Sequence, residues 1–284
     1  MKSKGELVNI YEKVLEELSD GYYTNRFGEE IDLINTKIKN CSVMFRSEDL
    51  KDQVDSGNYF ESTKIYVQNI DSFLKAIEMG SKSLVLNMAS ARNPGGGVSK
   101  GSRAQEEDLC RRSNLLYSLY SFSGKHRDIL KFPNREFRYP IPTYGGIYSP
   151  SVYIYRDDNY KVYDDVYKTS VVSVSALVDP IYNPETLMID KSQVHIVKNK
   201  IKSIFRIAII KGHTKLVLGA FGCGAFCNPP KHVALLFKEV LDLPEFKNAF
   251  EEICFAILDD GNTGKQHNPE GNYKPFLEVF GDGK

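Results

Sequence analysis

Residues 84–117 read LVLNMASARNPGGGVSKGSRAQEEDLCRRSNLLY: a strand, a glycine-rich turn and a helix in immediate succession. The continuous apolar run over residues 83–89 is bounded by polar and glycine-rich segments, as expected of a central strand buried on both faces. Asn93 and three consecutive glycines follow, Gly95, Gly96 and Gly97. A helix is then expected from about residue 104 to 120, with Leu109, Leu116 and Tyr120 facing inward. Glycine reaches positive φ and lets the backbone approach a neighbouring group closely, at an entropic cost on folding. Glu106 and Glu107 fall in the first turn of the helix. Adjacent carboxylates there serve as a general acid or base, as acceptors for ligand hydroxyls, or only as charges that suit the helix dipole, worth about 0.3–1 kcal/mol. Neighbours on a helix diverge by about 100°, so the two cannot play the same part.

The same grammar recurs at residues 215–243, KLVLGAFGCGAFCNPPKHVALLFKEVLDL, again strand, glycine loop and helix. Between and around the two units, TKIYVQNI, SVYIYRD, SVVSVSALVD and ICFAILDD read as strands. DSFLKAIEMG reads as a short helix with Asp71 as N-cap and Gly80 just past its end. SQVHIVKNKIKSIFRIAIIKG is a long amphipathic helix, YKPFLEVF a terminal one, and residues 121–150, rich in Pro, Gly and aromatics, an ordered loop. Strands alternating with helices imply an α/β architecture with a largely parallel sheet. In such sheets ligands bind where the βα loops leave the carboxyl ends of the strands. Two glycine loops on neighbouring strands would present backbone N–H groups and helix N-termini to a phosphate group. Neither loop is a Walker A sequence, and GCGAFC lacks the third glycine of a dinucleotide fingerprint. Taken singly, each is equally well read as a tight turn.

Composition narrows the alternatives. At 284 residues, 42% hydrophobic and 26% charged, the chain is ordinary for a globular protein. Lys+Arg and Asp+Glu total 37 each, which argues against a protein working chiefly through a basic nucleic-acid footprint but leaves room for a local basic patch. The opening residues lack the apolar core of a signal peptide, and no apolar run reaches the length of about 18 residues that a membrane span needs. Five scattered cysteines suit reduced thiols, so a soluble cytoplasmic protein is expected. Cys223 and Cys227 lie four apart, but no histidine joins them at ligand spacing; neither metal nor cofactor is expected. His126, His195 and His267 are expected at the surface or at caps. The N-terminal helix, with its stripe of Leu7, Ile10, Tyr11, Val14, Leu15 and Leu18 closed by Gly21, opens an accessory segment over residues 1–60. Short helical patterns follow around residues 29–38 and 47–54, and residues 61–284 form the main domain.

The 84–117 stretch resembles the signature of the poly(ADP-ribose) glycohydrolases: a triple glycine, a spacer (here residues 98–104), then Gln-Glu-Glu. The similarity is to the microbial-type branch, and LVLGAFGCGAFCNPPKHVA and FAILDD resemble that branch's phosphate loop and last core strand. It runs over residues 63–280. The resemblance implies a three-layer α/β/α macrodomain-like fold with a mixed, largely parallel sheet and an N-terminal helical extension. It further implies that Glu107 is the catalytic acid/base, that Glu106 holds ribose hydroxyls beside the scissile bond, and that Gln105 frames the loop. Gly95, Gly96 and Gly97 would wrap the distal ribose and pyrophosphate, with Asn93 as a polar contact to that ribose and Asn87 orienting the loop. Gly222, Cys223, Gly224 and Ala225 would line the diphosphate through backbone N–H groups, with Phe226 packed on the ribose. Cys227 departs from the small or basic residue expected there.

The implied chemistry is coherent. Cleaving an O-glycosidic bond at ribose passes through an oxocarbenium-like state and needs leaving-group protonation, then an activated water. One carboxyl can serve as acid and then base. A helix N-terminus favours the ionised form, whereas burial, a neighbouring carboxylate and a substrate diphosphate favour retention of a proton. The implied partners are poly(ADP-ribose) or ADP-ribosylated macromolecules, with ADP-ribose as product; neither a membrane nor sequence-specific nucleic-acid binding is expected. Two rivals share the pocket: a mono(ADP-ribosyl) hydrolase and a non-catalytic ADP-ribose reader. Gln-Glu-Glu argues against the reader, which needs no acid/base pair.

Overall fold

The computed structural model describes residues 2–34, 41–51 and 60–283. Helix α1 (Lys4–Asp20) starts with a capping box between Ser3 and Glu6 and stops at Gly21, whose φ of 89° ends it in a left-handed turn. Strands β1 (Tyr22–Thr24) and β2 (Glu30–Asp32) form a small hairpin, and β3 (Val43–Phe45) leads to a single 3-10 turn at Glu48–Leu50. The helical patterns expected around 29–38 and 47–54 are therefore a strand and a 3-10 turn where described; residues 35–38 and 52–54 lie outside the described residues. Three-residue elements are too short to show a period, which is why sequence pattern misread both.

Strand β4 (Lys64–Gln68), helix α2 (Ser72–Met79) and strand β5 (Ser83–Met88) follow as expected. Asp71 caps α2 by accepting from the N–H groups of Phe73 and Leu74, both at 3.0 Å. The single helix anticipated over residues 104–120 is two, α3 (Gln105–Arg112) and α4 (Leu115–Ser121). The break has a local cause. Ser113 is extended (φ −149°, ψ 174°) and bridges to Ile154, while Asn114 exchanges hydrogen bonds with Tyr153 through both its backbone and its side chain. Ser and Asn offer the backbone partners that compete with a helix, so the chain leaves it there to touch the sheet.

The loop expected over residues 121–150 holds one turn of helix, α5 (Arg127–Leu130), and the first residues of β6 (Gly146–Arg156). Then come β7 (Val162–Val174), the small hairpin β8 (Tyr182–Asn183) and β9 (Met188–Ile189), and α6 (Lys191–Ile210). The chain closes with β10 (Lys215–Leu218), α7 (Pro230–Leu241), β11 (Glu252–Ala256) and α8 (Tyr273–Phe280).

The main sheet has the order β3-β6-β7-β5-β10-β11-β4. From β7 to β4 every pairing is parallel, and β6 runs antiparallel to both β7 and β3. Alternation along β5 builds two cores. Leu84 and Leu86 pack with α6, α7 and α8 residues such as Ile204, Phe205 and Phe237, whereas Val85 packs with Val14, Leu109 and Leu116 on the opposite face. The result is the three-layer α/β/α arrangement. The layer opposite α6 to α8 includes α1, tied down by the buried ion pair of Glu17 with Arg156 and by Arg111 Nε donating to the Leu7 carbonyl at 3.1 Å. Strands β5 and β10 are neighbours, so both glycine loops emerge side by side at one end of the sheet. The alternation that sends Val85 toward α3 sends Asn87, at the end of β5, the same way.

Candidate active site

Loop one is folded around the two glutamates. Glu106 and Glu107 are both buried, and the loop's backbone supplies their partners. Ser90 N–H donates to Glu106 Oε2 at 2.7 Å and Gly95 N–H to Glu106 Oε1 at 3.2 Å. Gly97 N–H donates to Glu107 Oε1 at 2.8 Å. Gly95 and Gly96 adopt φ of 72° and 57°, the left-handed region where glycine carries no strain. Their lack of a side chain is as necessary as their conformation: a Cβ on Gly96 would collide with Glu107 Oε1, and one on Gly97 with Ser102 Oγ. The triple glycine thus lets the backbone close onto the carboxylates themselves.

One oxygen stands apart. Glu107 Oε2 is buried and has no hydrogen-bond partner among the described residues, whereas both oxygens of Glu106 and the other oxygen of Glu107 are engaged. A buried carboxylate oxygen left unpaired is costly unless a ligand satisfies it. Burial pushes the Glu106 carboxyl up to about 8, helped by the charge of Glu107 and opposed by the Ser90 N–H, the Asn87 amide and the Gly95 N–H. Glu106 therefore keeps its proton at neutral pH.

Gln105 faces backward. Its Oε1 accepts from Met88 N–H at 2.9 Å and its Nε2 donates to Leu86 O at 2.7 Å, stitching the start of α3 to the end of β5. Asn87, fully buried, donates to Ser173 Oγ at 3.0 Å. Asn93 lies exposed at the rim, its carbonyl accepting from Gly96 N–H at 2.8 Å to close the turn. Three contributors have no local sequence signature. Ser90 holds Glu106. Asp108 pairs with Arg112, which also reaches Asp71 at 2.9 Å. Tyr139, from the 121–145 loop, buries a hydroxyl with no partner among the described residues, and burial followed by the charge of Glu106 raises its pKa well above the ordinary tyrosine value.

Loop two is built around Asn228, whose amide donates to Leu177 O at 2.7 Å, Phe226 O at 3.0 Å and Gly222 O at 3.1 Å. Gly222 sits at φ 76°, and a Cβ there would come within 2.6 Å of both Ala176 Cβ and Asn228 Nδ2. The Cys223 side chain is buried in the core and its N–H donates to Ala220 O at 3.0 Å, so it offers no amide to a ligand. The N–H groups of Gly224, Ala225 and Phe226 make no hydrogen bond to any described residue. Consecutive unpaired amides ahead of the α7 N-terminus make an anion-binding concavity. His267 is buried rather than superficial: its Nε2 meets Cys223 O at 3.0 Å, so it supports loop two from beneath.

Similarity to known proteins agrees with this geometry. The model of the microbial-type PARG catalytic domain matches residues 12–157, the half of the chain that carries loop one and the glutamate pair. The chain belongs to the microbial-type poly(ADP-ribose) glycohydrolases. Family membership places it among the glycosidases. A poly(ADP-ribose) glycohydrolase from Thermomonospora curvata, solved with the inhibitor ADP-HPD, is 27% identical with a TM-score of 0.74, covering 96% of this chain and 99% of its own. One from Deinococcus radiodurans, solved with ADP-ribose, is 30% identical with a TM-score of 0.65, covering 85% of this chain and 96% of its own. No curated protein sequence matches the chain. These glycohydrolase relatives share the mixed central sheet flanked by helices, and the macrodomain-like fold is theirs and this chain's alike. Among the described residues no helix is long and apolar enough to cross a membrane.

Proposed function

We propose that the chain cuts the ribose–ribose O-glycosidic bond of poly(ADP-ribose) to release ADP-ribose, with Glu107 as the acid/base. The observation that carries this is the single unpaired oxygen, Glu107 Oε2, in a carboxylate pair whose other oxygens are held by loop one. The diphosphate sits on the free amides of Gly224, Ala225 and Phe226, and the ribose lies between the two glycine loops. Asn93 at the rim and the Phe226 ring flank that ribose, and Glu106 orients its hydroxyls.

The steps balance with one proton. Glu107, as the acid, passes a proton to the bridging oxygen as its bond to the anomeric carbon breaks, leaving an oxocarbenium-like sugar. The glutamate, now ionised, takes a proton from water as that water attacks the same carbon, which restores the starting state. A fixed carboxylate beside the cation stabilises it without reorganisation. The test is incubation of purified poly(ADP-ribose) with the chain: free ADP-ribose supports the reading, and an unaltered polymer overturns it.

Two further outcomes follow. The Glu106 carboxyl keeps its proton up to about pH 8, and its ionisation puts a further negative charge in the pocket and removes a donor to the ribose hydroxyls, so kcat/KM is expected to fall above that value. A rate that is level from pH 7 to 10 contradicts this role for Glu106. Replacing Asn228 by Ala releases three carbonyls in loop two. The expected result is a loss of about 1–3 kcal/mol in denaturant-measured stability. ADP-ribose affinity, read by calorimetry, falls about tenfold or more as the amides lose their alignment. Unchanged affinity would remove loop two from the site.

A further inference from the structure

Helix α1 precedes every strand in the chain, yet it lies against the catalytic loop. Its far end is pinned to β6: Glu17 pairs with Arg156 at 2.5 Å, and the Tyr155 hydroxyl donates to the same carboxylate at 2.9 Å. The near end, with the residues just before it, meets loop one and α3 at three points. Arg103 Nη2 donates to Lys2 O at 2.6 Å, and Arg111 Nε donates to Leu7 O at 3.1 Å. Between them Gly101, at φ 71°, comes so near that a Cβ would stand 2.6 Å from Lys4 O. A helix of 17 residues, about 25 Å long, therefore runs from the sheet to the loop.

Arg111 is the joint. It follows Glu107 by four positions on α3, so the two side chains leave the helix on one face. Its guanidinium is fully buried and reaches carbonyls on two different elements, Leu7 O on α1 and, through Nη2, Val98 O at 3.1 Å. Val98 opens the 3-10 turn Val98–Lys100 of loop one and directly follows Gly97, whose N–H holds Glu107 Oε1. Val98 O also accepts from Gly101 N–H at 3.2 Å, so the guanidinium clamps that turn from the side of α1. Charged donors bond about twice as strongly as neutral ones, and the planar fork of arginine holds two separated acceptors at fixed angles, which the ammonium of lysine does not.

We propose that Arg111 is a positioning residue for glycosidic cleavage: braced by α1, it fixes the Val98 turn and, through Gly97 N–H, the aim of the Glu107 carboxyl. The N-terminal helix then serves the active site as well as the fold. The inference rests on the acid/base role of Glu107 proposed above and extends it to what holds that carboxyl in place. If Arg111 only cemented α1 to the rest of the chain, its loss would lower stability without a separate loss of turnover.

Three variants test this. Arg111→Met keeps an unbranched stem and removes both donors, Arg111→Lys keeps the charge without the fork, and Gly101→Ala leaves Arg111 in place but drives a methyl group into Lys4 O. Gly212→Ala is the control for backbone strain, since its φ is 70° and a Cβ there meets nothing within 4 Å. Hydrolysis of poly(ADP-ribose), calorimetric binding of ADP-ribose, thermal unfolding and hydrogen exchange at the Gly97 amide are measured on each. Relative to wild type, kcat is expected to fall about thirtyfold in Arg111→Met and about tenfold in Gly101→Ala, while the Kd for ADP-ribose stays within about threefold. Arg111→Lys recovers part of the lost kcat, and the Gly97 amide exchanges about tenfold faster in Arg111→Met. Wild-type kcat in Arg111→Met overturns the inference, as does a Kd that rises in step with the fall in kcat, or a Gly101→Ala no slower than Gly212→Ala. If Arg111→Met does not fold, Arg111→Lys and Gly101→Ala decide between the same outcomes. If the wild type leaves the polymer intact, the hydrolase reading falls, and Gly97 exchange still reads the brace: an unchanged rate in the variants overturns it.

Discussion

Gly96→Ala is expected to abolish hydrolysis, with kcat/KM lower by about a thousandfold, and to reduce stability. Gly96 sits at φ 57°, and a methyl group there would strike Glu107 Oε1 and come within 3.0 Å of Glu106 Oε2. The strain of a left-handed alanine accounts for about 1–2 kcal/mol. The larger effect is displacement of both carboxylates, since a shift of about 1 Å in a catalytic group costs on the order of a hundredfold or more. Gly212 makes the control: its φ is 70° but a Cβ there meets nothing within 4 Å. Gly212→Ala should lose stability through strain alone and keep its turnover. Steady-state kinetics with thermal unfolding of both variants checks the pair of outcomes. Wild-type kcat in Gly96→Ala would refute the contact between loop one and the glutamates.

The second large effect is expected of Glu107→Gln. The amide oxygen can keep the hydrogen bond from Gly97 N–H, now 2.8 Å long, and the amino group replaces the unpaired Oε2. Shape and the loop are preserved while the proton donor and acceptor are removed. General acid/base catalysis contributes about 10²–10⁴-fold, and the proposed mechanism has one residue serve both steps, so a loss of about 10³-fold or more in kcat is expected. ADP-ribose affinity by calorimetry should stay within about threefold if, as proposed, loop two holds the ligand's diphosphate. Loss of binding together with turnover would make Glu107 a structural support for the loop. Retained turnover would transfer the chemistry to another group.

Much of this was legible where local chemistry dictates structure. Asp71 and Gly80 bracket α2 because a carboxylate cap and a glycine exit work over a few residues, and the apolar run of β5 can only be a buried strand. That both glycine loops leave strands at one end of the sheet followed from the alternation of strands and helices, while the adjacency of those strands is known only from the sheet order. What escaped depends on partners distant in sequence. The break at Ser113 exists because β6 passes beside it, and Asn228 acts through carbonyls as far away as Leu177. His267 looked superficial from its polar neighbours, yet its loop folds under Cys223. The glycines themselves were only half understood: their freedom was plain, but the groups they make room for are the glutamates ten residues on.

The most direct measurement follows free ADP-ribose released from purified poly(ADP-ribose) by the wild type and Glu107→Gln side by side, with ADP-ribose binding to each measured in the same buffer. Release by the wild type alone, with both proteins binding ADP-ribose, is the result predicted for Glu107 acting on the polymer's ribosyl bond. Equal release by the two proteins would contradict it, and so would a wild type that binds ADP-ribose, leaves the polymer intact and cleaves only mono-ADP-ribosylated protein.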